Sequence, residues 1–266
     1  MSSSGDLRAR FIGSFYFIPL LAAMLYGQPL SSLAGCAAIG WVAYEAIYML
    51  SGGQGGWPSR LFWLVSVLAF WVIFLPVSGL PMAFICAGLW AAALVLNRRR
   101  ETAFVSLMVL TSFSLGVMLA KDNGHLVLIC LAAVISAGDV GAYLFGRVLG
   151  GPKLAPRISP SKTWSGAVGG LLCSFSVVAV LSFLFGGTVS VSLDWGFAVL
   201  VCVLAQSGDL FESGLKRRLG IKDSGTFVPG HGGALDRFDG YLAVLPVIML
   251  ADAVQFTPVW LKVSGL

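Results

Sequence analysis

Leu126-Val-Leu-Ile-Cys-Leu-Ala-Ala-Val-Ile-Ser-Ala-Gly-Asp-Val-Gly-Ala-Tyr-Leu-Phe145 holds twenty residues and a single charge, Asp139. A helix rises about 1.5 Å per residue, so such a stretch crosses the roughly 30 Å of a bilayer's hydrocarbon core. The same pattern recurs on both sides of it. Towards the N-terminus it covers Phe11 to Tyr26, Pro29 to Leu50, Leu61 to Val77, Leu80 to Leu96 and Thr102 to Ala120. Towards the C-terminus it covers Gly166 to Phe185, Val191 to Glu212 and Tyr241 to Thr257. Composition agrees. Of the 266 residues 58% are hydrophobic and 11% charged, and mean hydropathy is +0.90. A soluble domain carries about 25% charged residues and needs them to cover its surface. The expectation is an all-α integral membrane protein of about nine transmembrane helices, and disorder is excluded.

The five cysteines lie singly in apolar runs, with no C-x-x-C pair. They read as small buried hydrophobes, and neither a disulfide scaffold nor a zinc site is expected. Arg8 and Arg10 precede the first apolar stretch, but no small-x-small cleavage site follows, so it is read as a retained span. With the N-terminus in the cytoplasm and nine crossings, 15 of the 17 Lys and Arg fall inside, and only Lys121 and Lys262 fall outside. The net charge of +5 therefore marks cytoplasmic loops, with no nucleic-acid partner expected. The expected location is the cell (inner) membrane, multi-pass, with the N-terminus cytoplasmic. Residues 1–120 are read as N-terminal transmembrane helices. Residues 121–266 are read as a C-terminal transmembrane catalytic region with two cytoplasmic loops, about 146–165 and 213–240.

Polar chemistry gathers around those loops. The stretches Asp139 to Trp164 and Gly208 to Asp239 hold nine of the 17 basic and six of the 12 acidic residues. Carboxylates among Lys, Arg, Ser and Gly suit metal-bound phosphates. Asp binds Mg²⁺, basic side chains neutralise phosphate, and Gly lets backbone N–H groups approach it. If the eighth span continues past the membrane edge, Asp209, Glu212, Ser213, Lys216 and Arg217 share one helical face. Asp139 and Asp209 stand near the cytoplasmic ends of their spans, which predicts one polar catalytic cavity facing the cytoplasm. Glu45, deep in the second span, reads as a protonated helix–helix contact.

Ser213-x-x-Lys216-Arg217, Lys222-Asp223 and Pro229-x-His231-Gly232-Gly233-x-x-Asp236-Arg237-x-Asp239 together resemble the signature of the phosphatidate cytidylyltransferase, or CDP-diacylglycerol synthase, family. Asp139-x-x-Ala142-Tyr143, Gly146-Arg147 and Ile158-Ser159-Pro160-x-Lys162-Thr163-Trp164 resemble a second block of that family, and Gly208-Asp209-Leu210-x-Glu212-Ser213 also fits. The resemblance covers the chain from about Leu126 onward. Ser165 stands where the family usually has Glu, Gly214 where a larger apolar residue is usual, and Gly240 where Ser is common.

The resemblance implies transfer of the cytidylyl group of CTP to phosphatidate, giving CDP-diacylglycerol and pyrophosphate, with Mg²⁺ and a second cation nearby. It implies metal ligation by Asp209 and Asp236, and a catalytic group that adds Lys216 and Ser213. Substrate contacts fall on Ser159, Lys162, Arg217, Lys222, His231, Gly232, Gly233, Arg237 and Asp139. The implied partners are CTP, phosphatidate, the lipid bilayer and a second copy in a homodimer. A CDP-alcohol phosphotransferase is the nearest rival, but its D-G-x-x-A-R motif is absent. An ion-coupled transporter would place polar residues in broken helices at mid-membrane, whereas here they cluster in loops. No G-x-x-x-x-G-K-[ST] motif supports ATP hydrolysis through a P-loop.

Overall fold

The computed structural model describes residues 18–50, 100–121, 123–186, 191–225 and 232–253. Seven helices and one hairpin appear among them: α1 (Ile18–Tyr26), α2 (Leu30–Leu50), α3 (Arg100–Leu119), α4 (Gly124–Leu149), β1 (Lys153–Ala155), β2 (Ser159–Thr163), α5 (Trp164–Gly186), α6 (Val191–Arg218) and α7 (Leu235–Ala253). Among the described residues, four stretches are long and apolar enough to cross a membrane: Leu30–Leu50, Gly124–Leu149, Trp164–Leu184 and Trp195–Arg218. The protein is thus mostly helical, as composition requires. The expected spans Leu61 to Val77 and Leu80 to Leu96 lie outside the described residues. The loop expected at about 146–165 is more ordered than a connector, since it contains the hairpin.

Surface chemistry supports the membrane reading. Val140, Leu144 and Val148 follow one another at steps of four on α4 and are 58%, 50% and 80% exposed. Val168, Leu172 and Val180 on α5, and Val199 and Val203 on α6, are exposed in the same manner. Water would penalise such apolar stripes, whereas lipid tails accept them.

The chain forms two compact units, Met1–Ala120 with Leu215–Asp239, and Lys121–Gly214 with Gly240–Leu266. The segment 215–239 belongs to the first of them. In that unit α2 buries Val42, Ala43, Ala46 and Met49, and α3 buries Phe104, Val105, Met108 and Val109. The Gln28 amide donates to the Leu119 carbonyl, and Ser32 Oγ donates to Gln28 Oε1 at 2.6 Å.

The second unit is organised by α4 against α5. A Cβ added at Gly138 would lie 2.7 Å from Ser174 Oγ, and one at Gly141 would lie 2.7 Å from the Gly169 carbonyl. One at Gly166 would lie 2.7 Å from the Ala142 carbonyl. Rising numbers on α4 meet falling numbers on α5, so the helices are antiparallel. Their backbones touch because side chains are missing at the seam, which is how helices associate where no hydrophobic force drives them together. Thr163 starts α5 as its N-cap, its Oγ1 accepting from Gly166 N–H at 3.1 Å. Gln206 on α6 reaches back to donate to the Ala167 carbonyl at 3.4 Å.

Candidate functional site

The hairpin carries the first polar cluster. β1 and β2 pair antiparallel, Lys153 opposite Thr163 and Ala155 opposite Ser159. Ile158 N–H donates to the Ala155 carbonyl at 3.1 Å, closing a four-residue turn with Pro156 at its second position. Proline's fixed φ suits that position. Trp164 N–H bonds the Pro152 carbonyl at 3.1 Å, so the hairpin is closed at its base as well. Ile158 lies over Gly214 on α6. This support holds Lys162 with its Nζ 2.5 Å from Asp209 Oδ2. Asp209 Oδ1 accepts from Ser213 Oγ, one turn on, at 3.1 Å. The Lys162 and Asp209 side chains are 25% and 33% exposed. Solvent screens such a pair, and exposed pairs contribute at most about 1 kcal/mol. Its value is accessibility, since a cation and a carboxylate are held together where a ligand reaches them.

The second cluster lies in the other unit. Helix α6 ends in a Schellman motif. Ile221 N–H bonds the Lys216 carbonyl at 3.0 Å and Gly220 N–H bonds that of Arg217 at 3.3 Å, with Gly220 at φ 73°. That left-handed conformation favours glycine. Lys216, Arg217 and Arg218 occupy the last turn, where cations complement the helix dipole. Lys216 is buried, and its Nζ lies 2.6 Å from Asp236 Oδ1. Asp236, in the first turn of α7, also gathers the loop before it. Ser224 N–H donates to Oδ1 and Oδ2 at 3.2 and 3.1 Å, and Gly233 N–H donates to Oδ2 at 2.8 Å. Gly232 has φ 81°, and a Cβ there would lie 2.5 Å from Asp236 Oδ2. Side chains are excluded there on both counts.

Sequence reasoning placed Lys162, Asp209 and Ser213 at the site, and the second unit brings them together. It also named Lys216, Asp236, Gly232 and Gly233, which meet in the first unit. Arg217, Lys222 and Arg237 are exposed there, and Arg217 Nη1 donates to the Ile221 carbonyl at 3.3 Å. Ser159 is 3.5 Å from Ser161, oxygen to oxygen, on β2. Asp139 is exposed on α4. His231 lies outside the described residues. Glu212 is fully buried although Arg217, also placed on the expected polar face, is exposed. That face is therefore not uniformly accessible.

Glu45, expected at a contact between helices, meets the first residue of α7 and a loop residue as well. It is buried, and Oε2 accepts from Ser224 Oγ at 3.1 Å and from Leu235 N–H at 2.9 Å, while Oε1 accepts from Trp41 Nε1 at 3.0 Å. Its partners are thus a loop residue, the N-terminus of α7 and a side chain one turn away on its own helix. The available signal was the carboxylate itself, which an apolar segment tolerates only with donors at hand.

The donor chemistry can be tested against Mg²⁺. Among the described residues no three His, Cys, Asp or Glu side chains form a metal-holding group. Mg²⁺ commonly uses only one or two carboxylates beside substrate phosphates and waters, so one accessible carboxylate is an adequate start. Asp209 fits, because each oxygen has one partner and a lone pair remaining. Asp236 fits less well as arranged, since each of its oxygens already accepts two hydrogen bonds.

Apolar helices of membrane-spanning length, with cation–carboxylate pairs set on a hairpin strand and on helix ends, define a helical membrane-type protein. A family model described as "Cytidylyltransferase family" matches residues 8–254, and the chain belongs to that family. It is 44% identical over 138 residues to the phosphatidate cytidylyltransferase of Brucella suis biovar 1 (strain 1330), covering 51% of this chain and 50% of that protein. It is 44% identical over 128 residues to the Staphylococcus haemolyticus (strain JCSC1435) protein of the same name, covering 48% and 49%. Against that of Staphylococcus aureus (strain COL) identity is 47% over 110 residues, covering 41% and 42%. The chain spans about half the length of the curated relatives it matches.

Proposed function

We propose that the protein transfers the cytidylyl group of CTP to phosphatidate, giving CDP-diacylglycerol and pyrophosphate in phospholipid biosynthesis. The family match over residues 8–254 carries this reading, and the names of the relatives give it its substrates. A phosphate oxygen of the lipid attacks the α-phosphorus of CTP. The new P–O bond forms as the bond from the α-phosphorus to the bridging oxygen breaks, and pyrophosphate takes that electron pair. Both reactants are anions, so the protein's task is mainly to position them and offset charge.

In this reading Lys162 donates to a substrate phosphate and Asp209, with Ser213 beside it, is a carboxylate ligand for the metal. Mg²⁺, when bound there, would supply positive charge that offsets the phosphates. Lys216 exchanges its carboxylate partner for a phosphate oxygen, which frees an acceptor position on Asp236 for the second ligand role. Arg217, Lys222, Arg237 and His231 add positive charge or donors, Gly232 and Gly233 allow close backbone approach, and Ser159 and Asp139 belong to the same substrate-contacting set. The phosphate of the lipid is already nucleophilic, and no separate general base is assigned.

We extend the proposal to nine crossings of the cell inner membrane, a cytoplasmic N-terminus, a catalytic cavity facing the cytoplasm, and a homodimer. Membrane-impermeant labelling of single cysteines at Gly55 and Ser264 tests topology, with Gly55 expected inside and Ser264 outside. The decisive assay is CTP turnover by the detergent-solubilised chain. It is expected only with both phosphatidate and Mg²⁺ present, with CDP-diacylglycerol as product. Equal turnover without lipid would overturn the reading.

A further inference from the structure

We propose that Glu45, on α2, is a positioning residue for the loop between α6 and α7, acting through Ser224 and the first turn of α7. The inference rests on the functional reading above and assigns a task within it to a helix outside the family's C-terminal signature.

A carboxyl group within an apolar helix costs free energy unless donors meet it. Helix α2 itself supplies one donor, Trp41 Nε1. The other two come from Ser224 Oγ, six residues past the end of α6, and from Leu235 N–H, the first residue of α7. Leu235 N–H belongs to the first turn of α7, whose N–H groups have no partner within the helix. Glu45 therefore binds two residues, Ser224 and Leu235, that lie 179 and 190 positions from it in sequence. The fit is close: a Cβ added at Gly225 would lie 3.0 Å from Glu45 Oε1, and one at Gly233 would collide with Oε2.

Ser224 is the shared point. Its N–H is held by Asp236 and its hydroxyl by Glu45, so carboxylates from α7 and α2 fix one residue from two sides. Lys216 is bound to the same Asp236. Release of the Glu45 side leaves Ser224 and Leu235 each short of a buried partner and loosens the frame that sets the Lys216–Asp236 pair. If α2 needed only packing at position 45, an apolar residue would serve it better. The carboxylate is explained by the loop.

The chemistry separates two substitutions. In Glu45→Gln the amide oxygen still accepts from Ser224 and Leu235, but the amide nitrogen then faces the Trp41 N–H, donor against donor. Glu45→Ala removes every bond. The test measures kcat/KM for CTP in the full chain in detergent, together with hydrogen exchange at the Ser224 and Leu235 amides. Glu45→Ala is expected to lower kcat/KM at least about tenfold and speed exchange at both amides about as much, while α5 amides are unchanged. Glu45→Gln should keep kcat/KM within about threefold of the parent, and adding Trp41→Phe should recover part of the loss. Parent-like kcat/KM or parent-like exchange in Glu45→Ala overturns the proposal. So does Glu45→Gln as impaired as Glu45→Ala without recovery by Trp41→Phe. Should Glu45→Ala fail to fold, the Glu45→Gln and Trp41→Phe series decides. If the parent itself turns over no CTP, the functional reading has failed, and the exchange rates alone decide whether Glu45 holds the loop.

Discussion

Lys162–Asp209 and Lys216–Asp236 are the same two residue types at nearly the same separation, 2.5 and 2.6 Å, and they are built for different ends. The first has side chains 25% and 33% exposed, the second 8% and 9%. Asp209 adds a single hydroxyl donor to its lysine, whereas Asp236 adds backbone N–H groups from Ser224 and Gly233. Water weakens the first pair and leaves its groups available for exchange. Burial shields the second from water, and backbone N–H groups of the loop hold its carboxylate in addition to the lysine. The distance of an ion pair therefore says little about its role, and what else its carboxylate holds says more.

The contrast is broken most sharply by deleting each lysine. Lys216→Ala leaves the Asp236 carboxylate buried without its cation and should cost about 3–5 kcal/mol of stability. Lys162→Ala should cost no more than about 1 kcal/mol. Thermal unfolding in detergent compares them, and equal losses would refute the distinction. Next in size is Asp209→Asn, expected to lower Mg²⁺-dependent CTP turnover by at least about tenfold, as loss of a ligand should when loss of its supporting residues already costs that much. Its unfolding temperature should stay near that of the parent. Asp236→Asn should lose both activity and stability. Parent-like turnover in Asp209→Asn across a Mg²⁺ titration would remove that residue as a ligand.

Smaller effects probe the supports of the exposed pair. Gly141→Ala places a methyl 2.7 Å from the Gly169 carbonyl, and overpacking of that kind costs about 1–3 kcal/mol. Gly214→Ala runs the other way. Its Cβ would meet Ile158 at 3.7 and 3.8 Å, ordinary contact distances, and exchanging a helical glycine for alanine is worth about 0.5–1 kcal/mol. A rise in unfolding temperature with unchanged turnover is expected. A fall would show that the hairpin needs the glycine.

The helices were legible where apolar runs are long. Leu126 to Phe145 was expected and α4 runs Gly124–Leu149; Gly166 to Phe185 was expected and α5 runs Trp164–Gly186. Helix α6 passes the expected end at Glu212 because Lys, Leu and Arg sustain a helix beyond the apolar stretch, until Gly220 stops it. The hairpin was not legible. Ser159-Pro-Ser-Lys-Thr163 lacks alternating apolar residues, and its strand character comes from pairing with β1. The polar residues were legible as a set, but their partners were not. The engagement of Asp236 depends on N–H groups that every residue but proline possesses, and no residue type announces which of them will be used. Glu45 was visible as an anomaly in an apolar helix, while two of its three partners lie 179 and 190 positions away.

The α4–α5 seam has a consequence for how this chain can change over generations. At an ordinary packed position sequence drift has two directions, towards smaller side chains at the cost of a void or towards larger ones at the cost of crowding. At Gly138, Gly141 and Gly166 the first direction does not exist, because glycine has no side chain left to lose. The second is blocked by a hydroxyl or a carbonyl at 2.7 Å. Accommodation therefore cannot come one residue at a time. A larger residue on one helix has to follow a retreat of the other, and where the obstacle is the carbonyl of Ala142 or Gly169 no substitution can remove it. Only a shift of the whole helix can, and that shift would carry the hairpin and Lys162 with it.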